Sequence, residues 1–161
     1  MSLTVLAWLA VAAYALHVVE EHMLGWLDWA RKTMGLSMTW EQYVISEVAI
    51  LILGLTTAML AGSPIGPMLI VAFATLLVIN AVVFHILPML TNGGKFSPGV
   101  LTGVVLFLPL GWQVYKTQTL SQNDLVWSVL IGVAVLGWLW LLTYLKGQRY
   151  FSGAAPAKRK R

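Results

Sequence analysis

The chain has no cysteine among its 161 residues. Disulfides, thiolate metal sites and cysteine nucleophiles are therefore excluded, while the compartment stays open. Charge is nearly as scarce. Asp, Glu, Lys and Arg make up 10% of the sequence against 59% hydrophobic residues, with a mean hydropathy of +0.81. Soluble domains carry about 25% charged residues, so this composition reads as an integral membrane protein. There are only six acidic residues and three histidines, and each one inside an apolar run is therefore informative. The length suits one domain, residues 1–150, followed by a basic tail at 151–161.

The net charge of +4 does not indicate a nucleic-acid binder. Six of the ten Lys and Arg residues follow the last apolar run, four of them as Lys158-Arg159-Lys160-Arg161. Such a tail orients a membrane protein and touches anionic lipid headgroups. The N-terminal apolar run lacks a basic leader and continues into acidic residues rather than a small-residue cleavage site. It reads as a retained crossing, not a signal peptide.

Five runs reach the roughly 20 residues that a membrane-spanning helix needs: Leu3 to Leu24, Thr39 to Ala61, Met68 to Met89, Ser97 to Tyr115 and Leu125 to Leu145. Ser97 and Pro98 suit the N-cap and first helical position of the fourth. The expected fold is an all-α bundle of five transmembrane helices. With five crossings, nine of the ten basic residues fall on one side and Lys116 alone on the other. The positive-inside rule then puts the N-terminus outside and the C-terminus in the cytoplasm, in the cell (inner) membrane. Between the first two crossings, Gly25 to Met34 interleaves Trp26 and Trp29 with charge and predicts a short interfacial helix, read as an anchor in preference to a lid.

The densest chemistry is His17-Val18-Val19-Glu20-Glu21-His22, which continues the first apolar run. A charged group near the bilayer centre costs roughly 2.5–3.5 kcal/mol on insertion scales and usually faces a bundle interior. On a helix, Glu21 stands about 40° from His17 and Glu20 about 60° to the other side. Tyr14, Ala10 and Ala13 share that face, whose small residues allow close helix approach. His22 falls off the arc, towards the cytoplasmic edge. In the second run Glu47 shares a face with Gly54, Ala58 and Ala61, and in the third His85 lies with Val78 and Ala81. The alternating topology sets His17, Glu20, Glu21, Glu47 and His85 at similar depth. Asn80 stands about 140° from His85 on an ideal helix, so the two are not expected at one narrow site unless Pro88 bends the segment. Gly93-Gly94-Lys95 lacks the spacing of a phosphate loop. The helix start that follows it offers free amides for an anionic headgroup or substrate.

His17-x-x-Glu20-Glu21, then Asn80…His85, then Phe96-Ser97-Pro98-Gly99-Val100 resemble, in that order, the HXXEE-domain family of small multi-pass bacterial membrane proteins. The resemblance spans about residues 10–105. It implies a site that includes His17, Glu20, Glu21, Asn80 and His85, and it implies no reaction, because the family's biochemical function is undescribed.

Two imidazoles with carboxylates form an N/O ligand set for a divalent metal: zinc, iron or manganese. The expected ligands are His17, Glu21 and His85, with Glu20 or Glu47 moving a proton to or from water or substrate. Tyr14, Asn80 and His22 are further polar candidates. The substrate expected is a lipidic or amphiphilic small molecule, with hydrolysis and isomerisation both open. Three alternatives stand beside this. One is a metal-free Glu/His acid–base enzyme of isomerase, hydratase or cyclase type. Another is a proton- or cation-coupled transporter, which at this size would act as a homo-oligomer. The last is a buried polar cluster that only specifies packing, although interhelical hydrogen bonds average only about 0.6 kcal/mol.

Overall fold

The computed structural model describes residues 1–146, so the basic tail expected at 151–161 lies outside the described residues. No strand occurs among them. The order is α1 (Leu3–Leu24), α2 (Trp26–Met34), α3 (Trp40–Met59), α4 (Gly66–Ile79), a π turn π1 (Asn80–Ile86), α5 (Leu87–Thr91), α6 (Val100–Thr102), a second π turn π2 (Gly103–Phe107), α7 (Leu108–Thr117) and α8 (Gln122–Lys146). Local signals explain the boundaries. Ser2 caps α1 through the amide of Val5, and Gly25, in the left-handed region at φ 71°, ends α1 and turns the chain into α2. Thr39 and Gln42 form a reciprocal capping box at the start of α3.

Three helical stretches are long and apolar enough to cross a membrane: Leu3–Leu24, Trp40–Met59 and the continuous Gly66–Thr91. The expectation of five crossings is thus met at three. Residues 100–117 are helical without being among the three, and in α8 the apolar stretch among the described residues is Gln122–Trp138.

Helix α4 sits at the centre. Every residue from Ile70 to Leu77 is buried, as a helix that is apolar all round must be. Helix α8 lies along it, and α1 packs against α3 and α7. Helix α1 turns Leu6, Ala10, Ala13, Tyr14, His17 and Glu21 inward, while Trp8, Leu16 and Val19 are exposed on the opposite face. An outer face of that kind suits lipid contact.

Both π turns precede a Leu-Pro pair. The amide of Leu87 reaches back five residues to the Val82 carbonyl, and that of Leu108 to Gly103. Pro88 and Pro109 have no N–H, and their rings would crowd the carbonyl four residues earlier. Widening the preceding turn relieves both problems. The turns also meet each other, since a Cβ on Gly103 would lie 3.1 Å from Cβ of Ala81.

Helix α8 approaches α4 through Gly132, where a Cβ would stand 2.8 Å from Thr75 Cβ. Gly132→Leu should therefore lower the melting temperature in a fixed lipid environment, with an overpacking cost of about 1–3 kcal/mol. Gly137, which has nothing within 4 Å of its Cβ position, should accept alanine without loss. Equal melting temperatures for the wild type and Gly132→Leu would contradict this packing.

Candidate metal centre

Helix α1 presents His17 and Glu21 one turn apart, and π1 presents His85 opposite them. His17 Nε2 lies 3.5 Å from Glu21 Oε1, and His85 Nε2 lies 3.3 Å from the same oxygen. The two imidazole rings stand nearly perpendicular, with centroids 4.8 Å apart. All three side chains are buried, His85 completely. The three candidate ligand atoms fall within 4.8 Å of one another, so the group can hold a metal ion.

The outer atoms of both rings are fixed by hydrogen bonds. His17 Nδ1 lies 2.7 Å from Thr102 Oγ1, whose hydroxyl donates to Glu20 Oε2 at 2.6 Å. A hydroxyl has one proton, so Thr102 must accept from the Nδ1–H of His17. His85 Nδ1 lies 2.7 Å from the Pro98 carbonyl, which can only accept. A neutral ring held in this way carries its proton on Nδ1 and leaves Nε2 facing Glu21. Neither Nε2 has a hydrogen-bond partner. On the other side of Glu21, Tyr43 donates its hydroxyl to Oε2 at 3.1 Å. Metal-binding histidines are oriented in this way by acceptors on their second nitrogen.

Glu20 has a different role from the one its residue type suggested. Its Oε1 accepts from the amides of Gly99 and Leu101 at 2.9 and 3.2 Å, and Oε2 accepts from the amide of Thr102 at 2.8 Å. It caps the helix that begins at Val100. Expectations for three features of this region are corrected. Glu20 is committed to backbone amides and is not a free base. The helix start expected to bind an exogenous anion already holds this carboxylate. Ser97 is not the N-cap: Gly99, at φ 90°, occupies that position, and Ser97 is buried 3.3 Å from His85 Nδ1. A carboxylate supplied by α1 satisfies three amides at once, more than a serine hydroxyl can. A Cβ on Gly99 would stand 2.5 Å from His85 Cε1 and 2.8 Å from His17 Cε1. Backbone therefore presses on both rings where a side chain would not fit.

The remaining candidates divide. Tyr14 is buried and donates to Glu47 Oε2 at 2.5 Å. Glu47 and Asn80 line, with Glu21, a cleft of about 50 Å³ walled by Trp26, Phe84 and Ile50, enough for a few waters. Asn80 opens the π turn and lines this cleft, while His85, five residues on in the same turn, belongs to the ligand group; the wider turn reduces the 140° separation of an ideal helix. Asn80 Oδ1 is buried without a partner. His22 is exposed and outside the ligand group. Helix α2 buries Trp26, Leu27 and Ala30 against Tyr43, so it roofs the site as well as flanking it.

Comparison with known families adds one result. A family model described as "protein of unknown function with HXXEE motif" matches residues 8–114, about two thirds of the chain. The chain belongs to the HXXEE family. No curated protein and no solved structure matches it. In this HXXEE protein the motif's own letters divide by geometry: His17 and Glu21 face the ligand group, and Glu20 faces the helix it caps. Tyr43 and Thr102 were not singled out from the sequence. Tyr43 was within reach, four residues before Glu47 on the same helix face, whereas Thr102 acts across 85 residues of sequence and gave no local signal.

Removing the cap provides a test. Glu20→Ala should leave three amides unsatisfied and destabilise the protein by about 1–3 kcal/mol. Amide hydrogen exchange at residues 99–102 should rise well above that at α4. Unchanged protection there would show that the cap does not hold the loop.

Proposed function

We propose that this protein is a membrane-embedded, metal-dependent enzyme acting on a lipidic or amphiphilic substrate. One observation carries the reading: the two distances from Glu21 Oε1 to the imidazole nitrogens, 3.5 and 3.3 Å. Charge-assisted N–H···O bonds usually run about 2.7–2.9 Å, and these contacts are longer, with neither Nε2 in a hydrogen bond. Ligands held about 2.1 Å from a tetrahedral metal stand about 3.4 Å apart, which matches. Lone pairs on His17 and His85 together with a carboxylate suit zinc, iron or manganese. Three protein ligands leave a position for water or substrate, as catalytic sites do.

A bound divalent ion would polarise a substrate oxygen or activate water. The rest falls to the chain's own residues. Glu47, with the Tyr14 hydroxyl on one oxygen, takes a proton at the cleft and returns it. Asn80 supplies an acceptor to orient the substrate. Thr102 and the Pro98 carbonyl hold each histidine in the tautomer that frees Nε2. Trp26 and the segment through Met38 cover the cleft on the side of α2. For the chain as a whole we propose five crossings, with the N-terminus outside and the C-terminus cytoplasmic.

Elemental analysis of protein purified without chelators should find about one divalent ion per chain, as a three-residue site requires. The His17→Ala/His85→Ala double variant should lose it. Thr102→Val should weaken affinity by about 10–100-fold, and Glu47→Gln should keep the ion. Absence of stoichiometric metal, or metal unchanged in the double variant, would overturn the reading. Topology has a clean test because the chain has no cysteine. In intact cells an impermeant thiol reagent should label Ser2→Cys and spare Lys95→Cys; the reverse pattern would invert the proposed orientation.

A further inference from the structure

The ligand group is closed off from the surface: His85 is 0% exposed, His17 1% and Glu21 3%. An ion bound there needs a way in. Two cavities reach the group, and neither histidine lines them, whereas Glu21 lines both. One is the cleft of about 50 Å³ that holds Glu47 and Asn80. The other, of about 300 Å³, lies where α1, α2 and α3 meet. Its lining runs from the buried Glu21 and Tyr43 to the exposed His22, Asp28, Arg31 and Trp40. It therefore leads from the surface to one member of the ligand group.

Size separates the two. A water needs about 10–15 Å³ of such space, so the cleft takes a few waters. The larger cavity takes a divalent ion with its shell of about six. Charge suits a cation as well. Asp28 and Glu21 oppose a single guanidinium, that of Arg31, which is held by Asp28 at 3.1 Å and by the Met38 carbonyl at 2.7 Å. With His22 neutral, the lining carries net negative charge and attracts cations. Entry through the cleft would strip most of the hydration shell against the apolar walls of Trp26, Ile50 and Phe84, which is expensive. In the larger cavity the Asp28 carboxylate and the His22 imidazole can replace waters on the way to Glu21.

We propose that the metal centre is loaded and emptied through this larger cavity, with Glu21 as the hand-over ligand. Tyr43, which lines the cavity and donates to Glu21 Oε2 at 3.1 Å, releases that oxygen to an arriving cation. Glu21 then presents it to the Nε2 atoms of His17 and His85, which lie 3.5 and 3.3 Å from Oε1. The cleft is left free for substrate. This rests on the metal reading of the site and adds the route and its side. Under the proposed topology the cavity opens to the cytoplasm, so the ion is drawn from the cell's own pool.

The test uses the full chain in phosphatidylcholine nanodiscs, freed of metal by dialysis against a chelator, with cobalt(II) as the probe. Visible absorption follows uptake, and a chase with excess chelator follows release. His22→Trp narrows the mouth of the cavity. It should slow uptake and release by the same factor and leave the dissociation constant unchanged, since a passage alters both rates alike when the site behind it is untouched. Asp28→Lys should slow uptake by about tenfold or more at low ionic strength, and added salt should shrink the difference. Leu36→Trp, in the wall of the cleft, and Ile45→Trp, on the exposed face of α3, should leave both rates unchanged. Wild-type rates in His22→Trp and Asp28→Lys, with cobalt still bound, would overturn the route and leave the metal reading standing. Slowing by Leu36→Trp alone would overturn it in favour of the cleft. A changed dissociation constant in His22→Trp would make His22 a ligand and overturn its place in a passage. Absence of stoichiometric cobalt in the wild type would remove the metal reading and the route with it.

Discussion

Three electron-rich atoms facing one another in a low-dielectric interior are the constraint on which this structure turns. Glu21 Oε1 and the Nε2 atoms of His17 and His85 converge at 3.5 and 3.3 Å, and neither nitrogen has a hydrogen-bond partner. Such a grouping is unfavourable unless a proton or a metal ion completes it. Much of the surrounding architecture serves to keep it in place. Thr102 and Pro98 fix the rings from behind, Tyr43 fixes the carboxylate, and Gly99 lets backbone lie flat against both imidazoles. Apolar packing supplies the rigidity: Phe107, fully buried, rests on His17 with ring centroids 4.6 Å apart.

Helical irregularity is placed where this grouping needs it. An unbroken α-helix from Gly66 to Thr91 would turn Asn80 away from the side that presents His85. The π turn ahead of Pro88 carries His85 to the ligand group and begins at Asn80, which lines the adjoining cleft, at the expense of regular hydrogen bonding. Its counterpart before Pro109 delivers Phe107. Two Leu-Pro pairs thus shape the centre from the distal ends of the turns they widen.

Much of this was legible in the sequence. The inward faces of α1, α3 and the His85 segment followed from small residues spaced by helical turns, and the helices begin and end within a few residues of the expected limits. Helices long and apolar enough to cross a membrane followed from scarce charge and long apolar runs. Roles were less legible than positions. Glu20 and Glu21 are the same residue type, side by side, and only tertiary structure decides which meets amides and which meets imidazoles. The ideal 100° step that separates Asn80 from His85 does not hold across the turn ahead of Pro88, the exception that the proline had signalled. Thr102 was invisible because its significance depends on a partner in another helix. The number of crossings rested on hydropathy and charge asymmetry, and among the described residues three helices are long and apolar enough to cross.

The clasp between Glu20 and the start of the fourth helix joins residues 79–82 positions apart in sequence. Translation at about 5–20 residues per second puts roughly 4–16 s between the synthesis of that carboxylate and of the amides it holds. For that interval the first helix carries two acids and two imidazoles with no partners yet made. The site therefore cannot form within the first helix alone. It closes only when four helices are present, which makes a filled and oriented centre a report that the family's whole core has assembled.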